Sequence, residues 1–285
     1  MYNLIFGGGY ISRFHIFYSL SNGFIPLVVE PDLYKRQFLN HLYPNAVTYA
    51  SFEDIQPPLI QQVSLTSILV PPSIRSLLPL DSLPQSYVLV EKPICPHSLE
   101  KLNPNQTFLC LNLSYSTSSC KIRKSLPDIS FLYSFRPNPG FSLRQASLRD
   151  YLFDFLPHVL TPLHTNYFHF NPTILYDTIS DKLILGRYNL PSTSIPWSLS
   201  ISADRTGTFL CQSGHHFSLD DGFTRLNSSA QPNPVISTID KISARRGYNT
   251  LFFLYSDLKN LISHNTVSPI LNSISFTNTG YLCHE

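Results

Sequence analysis

The feature that most restricts the fold of this chain is a run of glycines directly behind its first apolar segment. Residues 7–12 read Gly7-Gly8-Gly9-Tyr10-Ile11-Ser12, which fits the spacing G-x-G-x-x-(small residue). In such a turn the first glycine permits a sharp bend, the second lets the backbone approach a pyrophosphate, and the small last residue lets helix and strand pack closely. The following helix offers free N–H groups and the positive end of its dipole to phosphates. We therefore predict a nucleotide-binding turn, with Gly7, Gly9, Tyr10 and Ile11 as cofactor contacts.

Short apolar segments alternate with helical patterns through the first 113 residues. Predicted strands lie at residues 4–6, 25–29, 46–49, 65–70, 87–90 and 108–113, and the clearest predicted helices lie at residues 11–20 and 32–42. Strands that are apolar on both faces and separated by helices are typical of a parallel sheet covered on each side. The pattern predicts an α/β fold for residues 1–113, a doubly wound dinucleotide-binding domain of the Rossmann type.

The pattern changes after residue 113, where serine and proline become more frequent and the predicted strands become longer. These strands lie at residues 129–135, 173–176, 182–188, 197–203 and 208–212, and helices are predicted at residues 151–167 and 248–262. Consecutive strands without helices between them indicate a mostly antiparallel open sheet. Residues 114–285 are therefore predicted to form a second, α+β domain.

Composition and charge exclude several classes of function. Charged residues make up 13% of the chain, the net charge is +2, and the basic residues are scattered, so we expect no nucleic-acid partner. No apolar run approaches the length of about 18 residues that a membrane-spanning helix needs. The five cysteines are widely spaced without a C-x-x-C pair, which predicts neither a disulfide framework nor a metal site. Because no signal peptide precedes the first strand, we expect a cytoplasmic protein.

An acidic residue stands where a dinucleotide-binding domain needs one. Glu30 lies at the end of the second predicted strand, 21 residues beyond Gly9. At that position a carboxylate binds the ribose hydroxyls of NAD. The neighbouring Lys35 and Arg36 can instead serve the 2′-phosphate of NADP. Glu30 favours NAD, and both cofactors remain open.

A second polar segment follows the fifth predicted strand. Glu91, Lys92 and Pro93 come directly after residues 87–90, at the edge of the sheet where ligands bind in open α/β folds. A lysine there can donate a hydrogen bond to a substrate oxygen and stabilise charge that develops on it. A solvated lysine in a strand-end turn is an equally good interpretation of this segment.

A third polar group falls in the predicted helix at residues 151–167. Asp154 and His158 are four residues apart, so they share one face of that helix. A neutral imidazole can take or give a proton near neutral pH, and a carboxylate beside it can orient the ring or contact substrate. An ordinary helix-face contact is the alternative interpretation of this pair.

Taken in order, these three groups resemble the motifs of the Gfo/Idh/MocA oxidoreductases, a family of NAD(P)-dependent enzymes. His15 stands where the family often has histidine, Pro71 and Pro72 follow the fourth strand as in family members, and Leu156 replaces the glycine of the family's Asp-x-Gly-x-His motif. The resemblance implies a Rossmann domain followed by an α/β domain whose open sheet often forms an interface between subunits. It therefore implies a homo-oligomer, a dimer or tetramer, assembled through the C-terminal sheet.

The resemblance also implies roles for individual residues. Lys92 contacts the reacting oxygen, His158 is the general acid or base, and Asp154 completes the catalytic group. Pro71, Glu91 and Lys92 join the glycine turn and Glu30 as cofactor contacts. The implied activity is hydride transfer between nicotinamide and a small carbonyl or hydroxyl substrate, with sugars and nucleotide sugars preferred. An imine or tetrapyrrole reductase of the same fold and a non-catalytic, dinucleotide-binding regulatory protein are the alternatives.

Overall fold

The computed structural model describes residues 1–83, 85–92, 101–115, 129–135, 173–180, 183–201, 207–212, 215–218 and 250–279. Within these ranges the chain forms two six-stranded sheets, and helices cover the first of them. The helix predicted at residues 151–167 lies outside the described residues.

The first sheet is parallel throughout, with the strand order β3-β2-β1-β4-β5-β6. Its strands are β1 (Tyr2–Phe6), β2 (Ile25–Val29), β3 (Val47–Tyr49), β4 (Val63–Ile68), β5 (Tyr87–Val90) and β6 (Thr107–Leu109). This order confirms the predicted Rossmann-type domain. The order reverses between β1 and β4, and in such sheets a crevice for ligands opens at that point, beyond the carboxyl ends of the strands.

Among the described residues, four α-helices connect the strands of this sheet. They are α1 (Ser12–Ser21), α2 (Leu33–Leu42), α3 (Pro57–Ile60) and α4 (Pro72–Arg75). The chain leaves α1 through Gly23, whose φ of +81° suits glycine. The side chain of Asp32 accepts hydrogen bonds from the N–H groups of Tyr34 and Lys35 at 2.9 and 3.2 Å and so caps α2. The start predicted for this helix from the sequence is confirmed.

The second sheet has the strand order β12-β11-β7-β10-β9-β8. Its strands are β7 (Ile129–Phe135), β8 (Thr173–Ser180), β9 (Leu183–Leu190), β10 (Thr193–Ile201), β11 (Gly207–Gln212) and β12 (His215–Ser218). Strands β7 and β10 pair in parallel, and all other neighbours pair antiparallel. The prediction of a mostly antiparallel second sheet is therefore confirmed.

Residues 250–279 pack against the first sheet. Its helices are α5 (Leu251–His264), α6 (Pro269–Ser273) and α7 (Phe276–Thr279). Helix α5 contacts α1, the N–H of Leu109 in β6 donates to the carbonyl of Ile274 at 2.9 Å, and Phe108 forms an antiparallel bridge with Ser275. By these contacts residues 250–279 belong with the first sheet. Elsewhere the sequence-based limits of 1–113 and 114–285 stay a prediction.

Helix length also bears on membrane insertion. The longest helix in the described ranges, α5, has 14 residues, which gives it a length of about 21 Å. The hydrocarbon core of a bilayer is about 30 Å thick. No helix among the described residues is long and apolar enough to span a membrane.

Candidate functional site

The glycine turn between β1 and α1 leaves room for a ligand. Gly7 has a φ of +104°, which favours glycine, and a Cβ on it would lie 3.0 Å from Cγ1 of Val70. A Cβ on Gly9 would meet no atom within 4 Å, so the space beside this residue is open. Helix α1 then begins at Ser12 without a side-chain cap and without an acidic residue in its first turn. An anion can therefore approach the turn and the helix N-terminus together.

Glu30 closes the turn from the side of β2. Its Oε2 accepts a hydrogen bond from the N–H of Gly8 at 2.6 Å, and its Oε1 accepts one from the N–H of Asp32 at 3.0 Å. A Cβ on Gly8 would lie 2.7 Å from Cγ of Glu30, so only glycine fits beside this buried side chain. Glu30 thus has a role in shaping the turn that sequence reasoning missed. The two oxygens predicted to bind ribose are the same ones that hold the turn.

The basic residues predicted as the NADP alternative lie beside Glu30. Lys35 Nζ is 3.8 Å from Oε1 of Glu30. Arg36 Nη1 donates to the carbonyls of Glu30 and Pro31, at 2.7 Å in each case. The carboxyl end of β2 therefore carries both signs of charge, which keeps NAD and NADP open on electrostatic grounds.

The two remaining predicted contacts of the turn differ in exposure. Tyr10 is 42% exposed, whereas Ile11 is partly buried against the core directly before α1. The guanidinium of Arg13 lies 5.5 Å from the ring centre of Tyr10 and 4.6 Å from that of Phe38. This cation–π contact fixes a half-buried cation beside the turn, and sequence reasoning missed it.

A buried arginine ties together the ends of the two strands that follow β1 in the sheet. Arg75 of α4 is 0% exposed; its Nε donates to the carbonyl of Val70 at 3.0 Å, and its Nη2 donates to the carbonyl of Glu91. The exposed Pro71, a predicted cofactor contact, begins this segment and leads into α4. Arg75 fixes the end of β5 to the end of β4, and it was missed because nothing in its sequence neighbours marks it as buried.

Glu91 faces inward at the end of β5. Its Oε1 lies 3.0 Å from Nε2 of His15, and its Oε2 accepts a hydrogen bond from the backbone N–H of Lys92 at 3.0 Å. His15 is 0% exposed and Glu91 7%, while Lys92 is partly exposed. The predicted cofactor contact at Glu91 is therefore a buried anchor for the lysine that follows it.

The charge of Glu91 is stabilised in spite of its burial. Burial by itself raises the pKa of this carboxyl, but the hydrogen bond and charge of His15, the charge of Lys92 and a hydrogen bond with Cys110 outweigh it. The net effect lowers the pKa of Glu91 from 4.5 to about 2. Glu91 is therefore an ionised carboxylate at neutral pH.

His15 is held on its other side by helix α5. Nδ1 of His15 lies 2.9 Å from the hydroxyl of Tyr255 in α5. The same hydroxyl accepts a hydrogen bond from Nδ2 of Asn3 at 3.4 Å and lies 3.3 Å from Oγ of Ser67. Burial raises the pKa of Tyr255, so the phenol keeps its proton. Sequence reasoning missed Tyr255, because no local pattern connects it with a histidine 240 residues earlier.

Three buried side chains of this region have the chemistry of metal ligands. Cys110 Sγ lies 3.9 Å from Nε2 of His15, and ligand atoms of His15, Glu91 and Cys110 all lie within 4.8 Å of one another. Imidazole, carboxylate and thiolate together suit Zn²⁺. In this structure the carboxylate is already bonded to His15 and to the N–H of Lys92. The expectation of no metal site stays a prediction.

The structure brings most of the predicted site residues to one edge of the first sheet. The glycine turn, Glu30, Pro71, Glu91 and Lys92 follow β1, β2, β4 and β5 at their carboxyl ends. Asp154 and His158 lie outside the described residues, as does Pro93. Their predicted roles stay predictions.

Comparison with known proteins supports the fold. No family model matches the sequence, and no curated protein sequence matches it. Solved structures do match, and they include Gfo/Idh/MocA oxidoreductases. The resemblance drawn from the sequence motifs is confirmed at the level of the fold.

Three of these structures illustrate the similarity. A myo-inositol dehydrogenase from Corynebacterium glutamicum has a TM-score of 0.67 at 14% identity, over 99% of this chain and 95% of its own. The WlbA (WbpB) dehydrogenase from Thermus thermophilus, in complex with NAD and UDP-GlcNAcA, has a TM-score of 0.59 at 15% identity, over 94% and 96%. A Gfo/Idh/MocA family oxidoreductase from Vibrio cholerae has a TM-score of 0.65 at 11% identity, over 99% and 97%.

Proposed function

We propose that this chain, which has the fold of the Gfo/Idh/MocA dehydrogenases, is an NAD(P)-dependent oxidoreductase. The observation that carries the proposal is the open glycine turn at the point where the strand order reverses, with the uncapped N-terminus of α1 behind it. A turn shaped in this way is suited to a pyrophosphate, and the partly exposed Lys92 lies at the same edge of the sheet.

The residues at the turn fit a dinucleotide. The space beside Gly9 and the N–H groups at the start of α1 would hold the pyrophosphate, and Glu30 would accept hydrogen bonds from the adenosine ribose. Pro71 would line the cofactor between β4 and α4. When bound, the nicotinamide accepts or donates the hydride. Glu30 makes NAD the preferred cofactor in this proposal.

Lys92 is the proposed group for the reacting oxygen. Its backbone is fixed by the carboxylate of Glu91, and Glu91 is fixed in turn by His15 and Arg75. An ammonium group held there would donate a hydrogen bond to a substrate oxygen and stabilise negative charge on it. His158 as general acid or base and Asp154 as its partner complete the proposal from the sequence.

We infer a hydroxylated, sugar-like substrate. The inference is supported by two of the similar structures, one described as a myo-inositol dehydrogenase and one in complex with UDP-GlcNAcA. Such substrates carry secondary hydroxyl groups, which are oxidised to ketones when a hydride and a proton leave.

Nicotinamide fluorescence tests the cofactor part of the proposal. We expect NADH to bind the purified protein, and Glu30→Ala to weaken NADH more than NADPH. Absence of binding by both reduced cofactors would refute the proposal. Equal loss of both cofactors in Glu30→Ala would show that this residue serves the turn alone.

Turnover tests the assignment of Lys92. The protein is assayed with NAD⁺ and a panel of polyols, free sugars and UDP-sugars, and reduced nicotinamide is followed by absorbance. With any substrate that turns over, we expect Lys92→Ala to lower kcat by about a hundredfold or more. Lys101 is an exposed lysine, and Lys101→Ala is the matched control that should leave kcat unchanged. Full activity of Lys92→Ala would show that this lysine has no part in the reaction.

A further inference from the structure

We propose that Tyr255 of helix α5, acting through His15 and Glu91, is a positioning residue for Lys92. The proposal rests on the proposed function in one respect, the catalytic role of Lys92. It adds a role for α5, which was predicted from the sequence to lie in the other domain. Through Tyr255, this helix stabilises the carboxyl edge of the first sheet, where Lys92 lies.

Contacts with two strands of the first sheet fix the position of the Tyr255 hydroxyl. Asn3 and Ser67, from β1 and β4, contact it at 3.4 and 3.3 Å, and Ser67 donates in turn to Oδ1 of Asn3 at 3.0 Å. The ring of Tyr255 meets that of His15 edge to face, with centroids 5.9 Å apart. All four side chains are 0% exposed, so water does not compete for these bonds.

This placement decides where the imidazole points. With Nδ1 of His15 bonded to the Tyr255 hydroxyl at 2.9 Å, Nε2 faces Glu91 at 3.0 Å. A protonated Nε2 then donates to the carboxylate. Without the hydroxyl, Nδ1 would be a buried polar atom without a partner, and the ring would gain by turning away from this position.

Glu91 transmits the effect to Lys92. One oxygen of its carboxylate is hydrogen-bonded to Nε2 of His15 and the other to the N–H of Lys92, at 3.0 Å in each case. Within the described part of the chain, the groups that face it include His15 from α1, Lys92 after β5, Cys110 after β6 and, at its carbonyl, Arg75 from α4. A carboxylate that loses the histidine would attract the Lys92 ammonium more strongly, because a buried anion without a donor is costly. That attraction would draw the ammonium away from substrate.

The titration of Lys92 tests the proposal without any substrate. The lysines are reductively methylated with carbon-13 formaldehyde, the Lys92 signal is assigned by its loss in Lys92→Arg, and its pKa is read from chemical shift against pH. We expect the pKa of Lys92 to rise by about one pH unit in Tyr255→Phe and in His15→Phe, because a freed carboxylate stabilises the ammonium. His15→Gln, whose amide can still donate to Glu91, should return the pKa towards the wild-type value.

Tyr43→Phe is the matched control. It also removes one buried hydroxyl, which donates to the carbonyl of Arg13 at 2.8 Å and does not contact the network of Tyr255. It should lower thermal stability as Tyr255→Phe does but leave the pKa of Lys92 unchanged. An unchanged or lowered pKa of Lys92 in Tyr255→Phe would overturn the proposal. If His15→Phe does not fold, Tyr255→Phe alone decides.

The two proposals fail in different ways. NADH fluorescence of the wild-type protein tests the proposed function, and the titration of Lys92 tests the positioning by Tyr255. Once a substrate is found, Tyr255→Phe should lower kcat about tenfold and leave the KM for the dinucleotide unchanged. A protein that binds no NADH but shows the raised pKa would refute the function and keep the positioning network.

Discussion

At the scale of single residues, the three glycines of the turn have separate roles. Gly7 supplies a backbone conformation, Gly8 leaves room for Glu30, and Gly9 borders open space. The same substitution at two of these positions should therefore give different results, although the positions are adjacent. Glycine spacing alone, which was the first signal in the sequence, does not distinguish these roles.

The pair Gly8→Ala and Gly9→Ala separates turn stability from ligand binding. In Gly8→Ala the new Cβ displaces the Glu30 side chain and breaks its bond to the N–H of residue 8, which should cost about 1–3 kcal/mol of unfolding free energy. Gly9→Ala should change stability by less than about 0.5 kcal/mol yet lower NADH affinity tenfold or more. Urea unfolding and NADH fluorescence measure the two effects. Normal NADH affinity in Gly9→Ala would show that the pyrophosphate does not bind beside Gly9.

Glu91 makes stability depend on pH. Its pKa falls from 4.5 to about 2 on folding, so its contribution is complete above the unfolded value and is lost as pH falls towards the folded value. Between about pH 6 and about pH 3 this loss should be on the order of 2 kcal/mol. Urea unfolding at a series of pH values should show a shallower decline for Glu91→Gln than for the wild type. Parallel declines would show that Glu91 is not ionised against His15.

The sequence predicted some residues of the site and missed others for a physical reason. Gly7, Glu30 and Lys92 are marked by local spacing relative to strands, so a single sequence reveals them. His15 was noted only as a motif match, and its partners Glu91 and Tyr255 are 76 and 240 residues away. Contacts at such separations depend on how strands and helices pack, which local periodicity does not encode.

At the scale of elements, the strands of the first sheet and its helices α1 and α2 were predicted because their apolar periods are strong and their ends carry turn residues. Helix α5 was also predicted close to its observed limits. Its partner was not, because an amphipathic stripe indicates that a helix is buried on one face without indicating against what. The buried side of α5, which includes Leu254, lies on the first sheet's core with α1.

Helix α5 should therefore unfold together with the first sheet. Leu254 is 0% exposed, and Leu254→Ala should cost about 2–5 kcal/mol through lost burial and a cavity. Urea unfolding should show the loss of NADH binding and the loss of helical signal shifting together to lower urea. The exposed Asn260→Ala, on the same helix, is the control and should shift neither. A variant that loses helical signal while NADH binding persists would show that α5 is independent of the first sheet.

At the scale of the whole molecule, one face of the second sheet exposes leucine side chains to solvent, which favours contact with another subunit. Cα pairing in β8 and β9 places Leu175 opposite Arg187 and Asp177 opposite Leu185, so these four side chains share one face. The two leucines are 53% and 44% exposed, and the two charged residues are exposed as well. Apolar residues beside one acid and one base can complement the same face of a second copy across a two-fold axis.

We expect this face to join subunits, as the family resemblance implied, in a dimer or tetramer. Stable interfaces of this kind bury about 1,200–2,000 Å², and apolar residues at their centre dominate the energy. Leu185→Glu would place a carboxylate in the centre of the face, close to Asp177, where burial and like charge both oppose association. Light scattering coupled to gel filtration should show the wild type as an oligomer and Leu185→Glu at lower mass.

Leu77→Glu provides the control, because Leu77 is 79% exposed and lies in the segment after α4 rather than on the second sheet. It introduces the same charge and should leave the mass unchanged. Charge reversal gives a further arm, since Asp177→Arg should weaken association and the double variant Asp177→Arg with Arg187→Asp should restore it if the two residues meet across the axis. The prediction is wrong if the wild type runs as a monomer or if the Leu185→Glu variant keeps the wild-type mass. Either result would show that this face does not join subunits.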